Sequence, residues 1–123
     1  MSQLEAHLDV ARFVEQNGSI GLLKLVLPPF VEQMGLWLPA FERAIDNQDT
    51  ASLLHLLHSM KGSASALYAT PLAQTLQATE LSLRGNPAPL PAAQLRQVGQ
   101  QVSQLHQGLL QHLAAQAALH PAL

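Results

Sequence analysis

Apolar residues recur along this chain at three- and four-residue spacings, and nowhere do they alternate with polar ones over the length of a strand. From Gln3 to Gln16, Leu4, Leu8, Ala11 and Val14 share one stripe, and Asn17-Gly18 supplies a stop. Ser19 can cap a second apolar stretch, Ile20 to Leu27, which Pro28-Pro29 interrupts. Because proline is tolerated in a first helical turn, the pattern predicts that a helix restarts at Pro29. Phe30, Met34, Trp37 or Leu38, Phe41 and Ile45 then carry a stripe to about Asn47. Thr50 is the predicted N-cap of the next helix, which runs to about Leu67 or Tyr68, with Asp49 near the positive end of its dipole. Thr70-Pro71 opens a further segment that turns Leu72, Leu76, Thr79 and Leu83 inward and ends at Arg84-Gly85-Asn86. Three prolines between Gly85 and Pro91 mark a linker. From about Ala92 to Leu119, Leu95, Val98, Val102, Leu105, Leu109 and Leu113 form a last long stripe.

These stripes are satisfied together by an all-α fold. The expected architecture is an up-down-up-down four-helix bundle built from about 29–47, 50–68, 71–85 and 92–118, with short extra N-terminal helices over one end. At 123 residues the chain is expected to be one domain, 1–123, with its core bundle at about 29–118. An apolar fraction of 48% against 4% aromatic residues favours helices packed on helices through Leu and Ala. A formal net charge of −2 leaves no basic field to hold nucleic acid. The absence of cysteine excludes disulfides and thiolate metal sites. No basic-then-apolar leader pattern opens the chain and no run approaches the roughly 18 apolar residues of a membrane span, so no membrane insertion and a cytoplasmic location are expected.

One stretch does not read as scaffold. With Thr50 to Leu67 wound at about 100° per residue, Leu53, Leu56, Met60, Ala64 and Leu67 cluster on the inner side with Ser63 beside them. His58 lies opposite, and around it fall Ala51, Leu54, His55, Lys61, Gly62 and Ser65. An interior helical glycine costs roughly 1 kcal/mol relative to alanine, so Gly62 needs an offsetting use. One turn from His58, a missing side chain lets a macromolecular partner come close to the imidazole, while Lys61 can neutralise an anion held there.

His58-x-x-Lys61-Gly62-Ser63, followed by small and apolar residues, resembles the signature of the histidine-containing phosphotransfer (HPt) domain of two-component phosphorelays. The likeness covers about Leu22 to Leu113 and takes in the turn Asn47-Gln48-Asp49 and the Thr79-Glu80-Leu81 region. The family commonly has a glycine ten residues after the histidine, where this chain has Tyr68. The resemblance implies a phosphocarrier without autonomous kinase activity. His58 takes the phosphoryl group of a receiver-domain aspartyl phosphate and passes it to the receiver aspartate of a response regulator. Lys61 is the electrostatic partner of that group, and Ala51, Leu54, His55, Gly62 and Ser65 form the receiver docking face. The implied partners are receiver domains of a hybrid sensor kinase and of a response regulator, the implied state is a monomer, and no cofactor is bound intrinsically, Mg²⁺ coming from the receiver. Both a free-standing carrier and the terminal domain of a hybrid kinase fit.

The residues agree with this division of labour. There is no phosphate-binding Gly-rich loop and no carboxylate cluster for a metal, and the nearest acids, Asp49 and Glu80, are far from His58 along the chain. His55 and His58 are spaced to share a metal, yet no third ligand is near, so no metal site is expected. Ser63 and Ser65 have no accompanying base and acid. The alternative reading is a phosphotransfer-inactive helical scaffold that binds receivers or other signalling proteins.

Overall fold

A computed structural model describes residues 3–85 and 91–119. After a 3₁₀ turn, Gln3–Ala6, come α1 (Val10–Asn17), α2 (Ile20–Asp46), α3 (Thr50–Ala66), α4 (Thr70–Gly85) and α5 (Ala92–Leu119). Among the described residues there is no strand, and no helix is long and apolar enough to cross a membrane. The closest packing is between α3 and α4 and between α2 and α5, while α2 also touches α3 and α4 also touches α5. Arg96, at the start of α5, reaches Glu42 (3.1 Å) and Asp46 (2.8 Å) in the last turns of α2. The prolines expected at 87 and 89 of the linker lie outside the described residues.

The predicted elements hold with five revisions. The first segment is broken: Asp9 caps α1 by accepting from the Arg12 amide, which rephases the helix so that Phe13 is buried and Ala11 is exposed. The helix does not restart at Pro29, because α2 is continuous through Pro28, Pro29 and Pro39. All three prolines face solvent, where water can serve the carbonyls they leave unbonded. The cap of α3 is Asp49 rather than Thr50, its carboxylate accepting from the Ser52 amide at 3.1 Å and the Ser52 hydroxyl at 2.6 Å. On α3 Leu57 is fully buried beside Leu53, from which it lies about 40° round the helical wheel; Leu56, about 60° to the other side, is half-buried at the stripe's edge.

α4 departs in the way that matters most. Its inner residues are Ala73, Leu76, Glu80 and Leu83, with Leu72 and Thr79 half-buried. Glu80 is the one buried charged residue among those described.

The α3–α4 connection is set at Leu67–Ala69. Tyr68 takes a left-handed conformation, φ 59°, the backbone state a glycine adopts without strain. Its amide donates to the Ser65 carbonyl, and the Ala69 amide to the Ala64 carbonyl. The turn is therefore made here with a tyrosine in the conformation a glycine would take freely, and its ring meets Phe13 edge-on at 6.0 Å.

Candidate functional site

α3 presents His58 to solvent, with 65% of its side chain accessible, because Leu53, Leu57, Met60 and Ala64 commit the opposite side of the helix to the core. Gly62 is exposed, and a Cβ built on it would meet nothing within 4 Å. Ser65 and Ala51 are exposed on the same outer side. Leu54 differs from its expected free exposure: it is half-buried and packs against the core. His55 and Ala51 line a shallow groove with Arg43 at the end of α2.

The structure brings to this face a carboxylate that sequence spacing had kept apart from it. Glu80 of α4, only 7% exposed, places Oε2 3.4 Å from His58 Nδ1 and Oε1 3.2 Å from Lys61 Nζ. Arg84, one turn further along α4, donates to the same Oε2 from Nε (3.2 Å) and Nη2 (2.9 Å). Lys61 is accordingly three-quarters buried at the α3–α4 seam rather than free on the outer surface. Oε1 has no well-aligned hydrogen-bond donor, so the Lys61 contact is a close approach of opposite charges without linear geometry.

The hydrogen bonds from Arg84, followed by the close positive charge of Lys61, outweigh the cost of burial and hold the Glu80 carboxyl below the usual carboxylate range. Glu80 is thus an anion wedged between two helices with an imidazole and two cations around it. Such a carboxylate favours a proton on His58 Nδ1, and the lone pair is then on Nε2. The ring thus has a carboxylate behind it and most of its surface open to solvent.

Among the described residues no group of three or more His, Cys, Asp or Glu side chains can hold a metal. His55 and His58 do not gain a third ligand. Glu80 escapes a reading by sequence distance, yet it carries a signal: it stands four residues after Leu76 and three before Leu83, on the apolar stripe of α4. A charge there must be partnered.

No curated protein and no solved structure gives a significant match to the chain. The family model of the Hpt domain matches residues 26–108, which takes in α3, α4 and the whole His58–Lys61–Glu80–Arg84 cluster. Members of this family carry phosphoryl groups on histidine in phosphorelays and interact there with receiver domains; they are carriers rather than catalysts. With two thirds of its length under that match, the chain belongs to the Hpt domain family.

Proposed function

We propose that His58 is the phosphoacceptor and that the chain relays a phosphoryl group between receiver domains, from the aspartyl phosphate of one to the aspartate of another. The observation that carries this reading is the exposed imidazole backed at Nδ1 by the buried Glu80 carboxylate, with Lys61 beside it. Nε2 attacks phosphorus, the N–P bond forms as the aspartyl O–P bond breaks, and the aspartate leaves as a carboxylate. Positive charge that develops on the ring falls against Glu80. Lys61, and Arg84 behind it, offset the incoming phosphoryl charge. The outgoing transfer is the reverse of these steps on a second receiver. Mg²⁺ is held by the receiver's own acidic residues, and Gly62 gives the receiver backbone its clearance. The helix contacts support an up-down-up-down bundle of α2, α3, α4 and α5 as the frame.

The test is incubation of the chain with Mg²⁺ and a receiver carrying an aspartyl phosphate, beside His58→Gln. Transfer to the wild-type chain, giving an acid-labile and alkali-stable phosphate, and none to the variant is the expected result. Receivers that bind without transferring would instead make the chain a scaffold.

A further inference from the structure

We infer that the N-terminal segment, residues 3–17, forms one wall of the receiver docking surface, so that receiver choice is read partly from a groove wall that the Hpt match does not cover. This rests on the reading of His58 as phosphoacceptor. The groove, of about 1060 Å³, runs between the N-terminal segment and the α3–α4 pair, with Asp9 and Arg12 on one wall and Ser65, Tyr68, Gln74 and Gln77 on the other. Its rim begins at Ser65, one turn beyond Lys61 on α3, and at Gln77, one turn before Glu80 on α4. Both helices that build the His58 site therefore run into it without a break.

Size decides whether a partner centred on His58 can avoid this groove. The helical rise from His58 to Ser65 is about 10.5 Å. Even a small transient interface covers about 600 Å² of each partner, a disc of about 14 Å radius. A receiver close enough to bring its aspartyl phosphate to His58 therefore reaches the groove mouth. What it meets there is a mixed surface, in which Glu5, Asp9 and Arg12 bring both signs of charge to an otherwise largely apolar lining, the balance found in transient protein–protein interfaces.

The wall is fixed to the bundle. Leu4, Leu8 and Phe13 are buried in the core. The Asp9 amide donates to the Tyr68 carbonyl at 2.9 Å, on the turn that joins α3 to α4. His7 lies directly over Gly108 of α5, where a Cβ would overlap the imidazole ring. A buried glycine inside a long helix has no conformational use, since its backbone is helical; its use here is the space it leaves for His7. Gly108 is the last residue under the family match, so the latch joins the matched bundle to the unmatched segment.

Two phosphoryl sources separate docking from chemistry. Phosphoramidate, a small P–N donor, loads histidine without a protein interface; the receiver that loads His58 in the test above requires one. Arg12→Glu and Gln74→Arg change exposed side chains on opposite walls, and Gly108→Ala displaces the wall through His7. Each is expected to load from phosphoramidate at the wild-type rate and to lose about tenfold in receiver transfer at limiting receiver concentration, as a charge change or displacement at one of the few energetically important interface positions does. Arg12→Glu and Gln74→Arg keep the test valid if Gly108→Ala folds poorly. Wild-type receiver transfer by both overturns the inference and leaves the phosphoacceptor reading intact. A wild-type chain that takes phosphoryl from neither source overturns both.

Discussion

Replacing Glu80 by leucine should separate function from stability. In the folded chain Glu80 stands on the apolar stripe of α4 with 7% of its side chain exposed. What it contributes to stability is two ion pairs. The pair with Arg84, whose side chain is 54% exposed, is an i,i+4 helix pair worth about 0.5 kcal/mol. The pair with the more buried Lys61 contributes about 1 kcal/mol. Against these, leucine regains about 1.5–3 kcal/mol of apolar burial and removes the cost of keeping a carboxylate oxygen without an aligned donor. The substitution also leaves Lys61, three-quarters buried, without its carboxylate at a cost of about 1 kcal/mol, so Glu80→Leu is expected to lie within about 1 kcal/mol of wild type.

Transfer should fall while stability stays near that of wild type. Loss of the carboxylate at His58 Nδ1 removes one charge-assisted contact, worth about 1 kcal/mol at an exposed ring, so transfer slows about fivefold. Glu80→Gln keeps an acceptor of the same shape and should fall between the two. Urea unfolding followed by the fluorescence of Trp37, the single tryptophan, measures the first quantity. The rate of phosphohistidine formation from a receiver aspartyl phosphate measures the second. A Glu80→Leu protein that is less stable by more than about 1 kcal/mol and transfers at the wild-type rate would refute the reasoning, because Glu80 would then be a structural tie and its approach to His58 incidental.

Gly62→Gln should stabilise the domain by up to about 1 kcal/mol, since the helix gains a good former in open space, while receiver transfer falls at least tenfold and phosphoramidate loading persists; comparing the two donors checks it. Tyr68→Gly relieves about 1 kcal/mol of left-handed strain but removes a half-buried ring and its edge-on contact with Phe13, so a net loss of about 1 kcal/mol in urea unfolding is expected. Acid should destabilise the fold in two stages. His112 is pushed below its ordinary value by burial and then by Lys24, so its contribution is complete above about pH 6.5 and is lost as pH falls through its folded value. Glu80, held down first by Arg84, and Asp49, held down by Ser52, contribute above the usual carboxylate range and lose that contribution as pH falls through their lower folded values. Urea midpoints from pH 7.5 to pH 3 check the order, and Glu80→Leu should flatten the lower stage alone.

The helices were legible because their information is local. α5 has the bounds that its Leu and Val stripe predicts, and His58 and Gly62 fall on the outer side of α3 by period alone, whereas Lys61 is drawn into the α3–α4 seam by Glu80. What period cannot supply is phase after an interruption. The Asp9 break turns Phe13 inward in place of Ala11, and α2 runs on through Pro28-Pro29 because packing of Leu23, Leu27 and Val31 holds it on either side of the missing amides. Glu80 belongs to a third kind of information, the register between two helices. His58 and Glu80 are each eleven residues from Ala69, as Ser65 and Ala73 are each four from it, so the turn at Leu67–Ala69 decides which side chains face each other across the seam. One residue more or less in that turn would rotate α4 by about 100° and carry Glu80 away from His58. Tyr68 keeps that count by accepting a backbone state that glycine takes freely. The conformation of one turn residue is thus what allows an imidazole on α3 and a carboxylate on α4 to act as a pair.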